Sequence, residues 1–179
     1  MSPQELSRKK LLAIFQALIR LLEDHRMSDI SVAVLCREAG VSRTYYYHHF
    51  QSYADIIYQE NIMSVVQYMR QLPDQGIITT TTMFTRYFEL AAQSRDTQLT
   101  LVKVGLESSL IHSFESAFEY LVKNDLVVKA HPSRIGKKYW TEFLAGAVVN
   151  MAVRWLQTGM GETPAQMGRF VSNFVGLTE

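Results

Sequence analysis

Apolar residues recur every three to four positions along most of this chain, and no stretch shows convincing strand alternation. Leu11, Ile14, Phe15, Leu18, Leu21 and Leu22 set the pattern. That spacing places one apolar stripe on a helix and is incompatible with a half-buried strand. Pro3 or Ser7 starts this first helix, which ends near His25. Ser31 caps a second helix to about Ala39, Gly40 supplies a turn, and Ser42 caps a short third helix to about His49. Ser52 caps a fourth, carrying Ile56, Ile57, Ile62 and Val65, which stops before Pro73. Later segments cover Met83–Ala92, Asp96–Val104, a helix from Ser108 or Ser109, Tyr139–Leu156, and a last helix opening at Thr163-Pro164. The expected fold class is all-α, with about nine helices. Breaks fall at Pro73-Asp74-Gln75-Gly76, read as the boundary between head and body, and at His131-Pro132-Ser133.

Composition narrows the function classes. A chain of 179 residues with 47% hydrophobic residues has a real core and is not disordered. The single cysteine, Cys36, excludes an intrachain disulfide and a cysteine-based zinc site. No apolar run reaches the length of a membrane span, and the N-terminal stretch lacks a signal-peptide core. Cytoplasmic residence is the expectation. The five histidines are dispersed or point in different directions, so no metal site is expected. No nucleophile motif or phosphate loop is present, so neither an enzyme nor a cofactor is expected. Charge alone does not announce a nucleic-acid binder. Residues 1–60 hold seven Lys and Arg against seven Asp and Glu.

The informative segment is Ser31 to Phe50, SVAVLCREAGVSRTYYYHHF. Two short helices around a glycine turn make a helix-turn-helix. Val34, Leu35, Val41, Tyr46 and Phe50 supply the apolar contacts. Cys36 and Ala39 are small enough for close helix approach. Tyr46 lies one helical turn from Phe50, so it is read as core. The second helix of such a motif lies in the DNA major groove, with its N-terminal residues at base edges.

Ala39-Gly40-Val41-Ser42, followed by Arg43-Thr44-Tyr45-Tyr46 and Tyr47-His48-His49-Phe50, resembles the head of TetR/AcrR-family regulators. The resemblance implies an N-terminal three-helix head and a C-terminal helical body. DNA binding then belongs to residues 1–52, and effector binding and dimerisation to residues 53–179. It implies that Arg43, Thr44 and Tyr45 face base edges. Tyr47, His48 and His49 face phosphates, and Ser31, Ser42 and Tyr53 complete the DNA-binding set. Arginine suits guanine, because its fork pairs with both O6 and N7. The chain departs from the family at Val32, where threonine is frequent, and at Tyr53, where lysine is common.

For the body, the resemblance implies a homodimer through the last two helices, about 139–158 and 163–176. The first of these is apolar on more than one face, which requires burial on several sides. It also implies a pocket for a small-molecule effector. Candidate lining residues are Phe84, Tyr87, Phe88, His112, Phe114, Phe118, Tyr139, Trp140, Phe143 and Met151. Glu107, His112, Glu142, Asn150 and Arg154 are the polar residues set among apolar neighbours. The expected function is a ligand-responsive transcriptional regulator, a repressor released from a near-palindromic DNA operator by its effector. The alternative is a co-regulator of the same fold that acts through a protein partner. An all-α enzyme or carrier using the body pocket is a further rival.

Overall fold

The computed structural model describes residues 2–70, 79–126 and 137–176. The breaks expected at 73–76 and 131–133 lie outside them. The described residues form nine α-helices and no strand: α1 (Pro3–Asp24), α2 (Val32–Ala39), α3 (Arg43–His49), α4 (Tyr53–Arg70), α5 (Thr80–Gln93), α6 (Arg95–Lys103), α7 (Glu107–Lys123), α8 (Trp140–Gln157) and α9 (Pro164–Phe174). A 3-10 turn, Met27–Asp29, links α1 to α2. None of these helices is long and apolar enough to cross a membrane.

Local chemistry sets most of the boundaries. Ser2 and Glu5 form a capping box at α1, with Pro3 in the first turn. Thr163 and Gln166 do the same at α9, ahead of Pro164. The run Thr79 to Thr82 supplies the cap and the first turn of α5. The Thr79 hydroxyl accepts from the Thr82 amide at 3.0 Å, which satisfies a donor the helix cannot pair internally. Two starts differ from expectation. The α6 and α7 N-termini, at Arg95 and Glu107, carry no side-chain cap, so Asp96 and Ser108 lie inside the first turns. Tyr139 takes a left-handed φ of 68° and stands outside α8.

One connected apolar cluster runs through the molecule. In the head it contains Ile14, Leu18 and Leu22 of α1, Leu35 of α2, Tyr46 and Phe50 of the α3 region, and Ile56 and Ile57 of α4. In the body it contains Phe84 and Phe88 of α5, Leu101 of α6 and Leu144, Val148 and Leu156 of α8. Each such side chain stabilises the fold by about 1.5–3 kcal/mol relative to exposure. Helix α1 packs on α2, α4 and α6, so the head is continuous with the body.

Helix α9 lies closely along α5. The approach depends on small residues: Gly168 faces the Thr85 backbone, and the Thr81 hydroxyl donates to Ser172 at 2.9 Å. Helix α8 is central to the chain. Its packing against α5, α6 and α7 buries Leu144, Ala145, Val148, Val149, Ala152, Trp155 and Leu156. The multi-faced apolar pattern read from the sequence is therefore largely satisfied inside one chain. What stays exposed is narrower: Phe143 at 60% on α8, and Phe170 at 41% and Phe174 at 74% on α9.

Candidate nucleic-acid interface and cavity

The turn between α2 and α3 has a specific geometry. Gly40 adopts φ 64°, ψ 31°, its amide donates to Arg37 and the Val41 amide donates to Cys36. This pair of reverse bonds closes the α2 carbonyls and redirects the chain, and the left-handed residue favours glycine. The Ser31 hydroxyl accepts from the Val34 amide at 3.3 Å, and Ser42 accepts from Tyr45 at 3.0 Å. Both predicted serines are thus helix caps. A hydroxyl that accepts at a cap still carries a proton to donate, so capping and a phosphate contact are compatible.

Helix α3 divides into two faces. Tyr46 and the following Phe50 are each 4% exposed, with ring centroids 5.8 Å apart, which places Tyr46 in the core as its spacing from Phe50 required. Burial pushes the Tyr46 phenol up to about 12, so it stays neutral. On the other face Arg43, Thr44, Tyr47, His48 and His49 are all exposed. Tyr47 is 68% exposed, an unusual position for so large an aromatic.

Tyr45 and Tyr53 occupy intermediate positions. The Tyr45 ring is half-buried between α1 and the end of α3. Its centroid lies 4.2 Å from that of His49, and Lys10 Nζ sits 4.8 Å above it. Its phenol is raised, first by burial. Tyr45 therefore ties Lys10, a cation on α1, to the exposed face of α3, a contribution that the sequence pattern does not reveal. The Tyr53 hydroxyl donates to the Ile30 carbonyl at 2.6 Å, fastening the start of α4 to the residue before the α2 cap. Val32 is half-buried against the core.

The cavity lies between α1, α4, α5, α6 and α7 and has a volume of about 170 Å³. Of the predicted pocket residues, Tyr87, Phe114 and Phe118 line it. Tyr87 and Phe114 meet edge to face at 5.0 Å. The others lie elsewhere. Phe84 and Phe88 are fully buried, and Phe88 packs against Trp155 at 5.6 Å. Tyr139 and Phe143 are exposed, Trp140 packs 5.9 Å from Phe143, and Met151 is half-buried on α8. His112 is exposed and pairs with Glu115 at 2.9 Å. Glu107, Glu142, Asn150 and Arg154 are exposed too. Asn150 donates to the Gly146 carbonyl. Helix geometry explains the difference. Sequence neighbours identify an apolar stripe, but the cavity takes only the part of each stripe that faces the centre.

The polar groups of the cavity wall are Glu60, Asn61 and Ser64 of α4, Arg86 of α5, Ser94, Thr97 and Gln98 at and in α6, and Ser113 of α7. Glu60 is 4% exposed. Both its oxygens accept from Arg8 of α1, at 2.6 and 3.1 Å, and Ser64 adds a bond at 2.9 Å. Phe15 brings α1 into the same wall. These α4 residues were not singled out from sequence, although a signal existed. Ile56, Ile57, Glu60 and Ser64 share one helical face, and a carboxylate on an apolar stripe needs a partner. Among the described residues no group of three or more His, Cys, Asp and Glu is placed to hold a metal ion.

Comparison with known proteins places this arrangement. Residues 79–176, more than half of the chain, match the TetR-type family model described as "Transcriptional regulator C-terminal region". Among solved structures, the chain is similar to Lin0861 from Listeria innocua, with a TM-score of 0.77 and 19% identity over 98% of this chain and 94% of that one. It is also similar to the dihydroxyacetone kinase operon activator DhaS, with a TM-score of 0.58 and 13% identity over 93% of each chain. At these identities the likeness speaks for the fold. No curated protein sequence matches the chain. The fold, the helix-turn-helix and the match over residues 79–176 together establish that the chain belongs to the TetR family of transcriptional regulators.

Proposed function

We propose that this protein is a homodimeric, effector-responsive regulator that reads a near-palindromic DNA operator through α3 and is released from it by a small molecule. The observation that carries the reading is the division of α3. Five side chains from Arg43 to His49 face outward while Tyr46 and Phe50 anchor the helix from behind. Arg43 and Thr44, at the helix start, reach base edges; Tyr47, His48 and His49 reach phosphates, with Ser31 and Ser42 at the caps. The DNA-binding unit is residues 1–52 and the effector and dimerisation unit residues 53–179. Two heads are needed for a two-fold operator, and exposed Phe143, Phe170 and Phe174 offer α8 and α9 as the joining surface. The cavity is the effector site. Its occupant must bind the two head arrangements differently, or nothing shifts.

Fluorescence anisotropy with labelled duplexes from the DNA flanking the gene tests this reading. Saturable binding to one duplex, lost at high salt and preferring that sequence over a scrambled one, is expected. Arg43→Ala should relax the preference at a cost of about 1–3 kcal/mol. A scrambled duplex that binds equally well at low salt would sink direct sequence reading. Two observations favour a second reading, a co-regulator acting through a protein partner: residues 1–60 are formally neutral, and the Tyr53 phenol is engaged at Ile30. Under that reading DNA binding appears only when the partner is added.

A further inference from the structure

The cavity is small and most of its wall surface is apolar. Its volume of about 170 Å³ is close to that of an apolar cavity of ~150 Å³ that admits benzene. It falls below the ~300–1,000 Å³ of pockets for drug-sized ligands. Phe15, Met83, Tyr87, Phe114 and Phe118 supply the apolar surface.

The charged groups in the wall are already matched. Glu60 holds Arg8, and Arg86 lies 3.5 Å from Glu89. A bound anion would face the Glu60 carboxylate and Arg86, which already holds Glu89, so its desolvation would go uncompensated. A bound cation would have to displace Arg8 from Glu60. Asn61 is different. Its amide nitrogen is buried and has no hydrogen-bond partner among the described residues. A buried donor left unpaired is costly, so an acceptor brought beside it recovers free energy that an apolar atom does not.

We propose that this cavity takes a neutral, mostly apolar molecule of about one ring's size that carries a single hydrogen-bond acceptor, a ketone- or ester-type oxygen bound by Asn61. The proposal rests on the effector reading of the cavity only for its consequence at the DNA. Binding itself stands or falls separately.

Calorimetry of the full chain with acetophenone, ethylbenzene and benzoate tests it. Acetophenone should bind saturably, one per chain, roughly threefold to tenfold tighter than ethylbenzene, the difference made by one neutral hydrogen bond. Benzoate should bind weakest. Asn61→Leu should bring acetophenone and ethylbenzene to parity. Ala117→Leu, which fills the cavity from α7, should abolish binding of both. Equal affinity for ketone and hydrocarbon in the native chain, tightest binding of benzoate, or no saturable binding of any probe would each overturn the proposal. Acetophenone binding that leaves DNA affinity unchanged would support the ligand class and refute the effector reading.

Discussion

Arg8 and Glu60, 52 residues apart in sequence, meet as a two-pronged ion pair between the first helix of the head and the wall of the cavity, with Nη1 to Oε2 at 2.6 Å and Nη2 to Oε1 at 3.1 Å. An occupant that displaces Glu60 therefore acts directly on α1. The pair also has an asymmetry. Glu60 is buried, whereas the Arg8 side chain is 25% exposed and can turn toward water.

That asymmetry predicts unequal variants. Arg8→Ala strands a buried carboxylate and should cost about 3 kcal/mol. Glu60→Gln keeps the shape and leaves an arginine that water can reach, so it should cost about 1 kcal/mol. Urea unfolding at neutral pH measures both. Equal losses would show that desolvation of Glu60 does not govern the pair.

Two glycines should respond to alanine for different reasons. Gly40 has open space around it but a φ of 64°, so Gly40→Ala should cost about 1–2 kcal/mol through backbone strain alone. Asparagine there should cost less. A Cβ at Gly168 would meet Thr85 Oγ1, and would stand 2.7 Å from the Thr85 amide nitrogen and 2.9 Å from its Cα. Gly168→Ala should force α5 and α9 apart at about 2–3 kcal/mol. Thr85→Ala should rescue it only partly, because the backbone contacts remain. Thermal unfolding of these variants beside the parent chain decides this.

Tyr53→Phe removes the donor to the Ile30 carbonyl. Stability should fall by about 1 kcal/mol. If the phenol works only at Ile30, the slope of DNA affinity against salt should stay the same. A shallower slope would assign Tyr53 a phosphate contact instead.

Phe174 is 74% exposed and stacks with Phe170 at 6.4 Å. Phe174→Glu should leave the fold intact and shift a dimer toward monomer in sedimentation experiments. An unchanged dimer would place the interface elsewhere.

The tyrosines predict an alkaline limit to stability. Burial raises Tyr45, Tyr46, Tyr53 and Tyr87, with Tyr46 reaching about 12. Above pH about 10 the unfolded chain loses phenol protons that the folded chain keeps. Stability should therefore fall as pH rises from about 10 to 12, with no contribution from these groups below that window. Urea midpoints across the range, with Tyr46→Phe flattening the slope, provide the check.

The fold was legible because its signals are local. Ser31, Gly40 and Ser42 cap and turn the helix-turn-helix through contacts no more than five residues apart, and Thr163-Pro164 starts α9 in the same way. Tyr46 could be assigned to the core from its one-turn spacing to Phe50. The cavity was only partly legible. Tyr87, Phe114 and Phe118 line it, but Phe84 and Phe88 share α5 with Tyr87 and are consumed by the core.

The sequence by itself determined the helices, the caps at Ser31, Ser42 and Thr163, most of the exposed face of α3 and the family, because those depend on periodicity, short-range hydrogen bonds and a compact motif. Only the tertiary structure decided which apolar stripes met each other. It made α8 a central helix with most of its apolar side chains buried inside the chain and Phe143 left exposed, and it set Gly168 against Thr85. It also joined Arg8 to Glu60 and left the Asn61 amide beside the cavity without a partner among the described residues. Pairing over 52 residues depends on how helices cross, and helix crossing is fixed by the packing of the whole core rather than by any one segment.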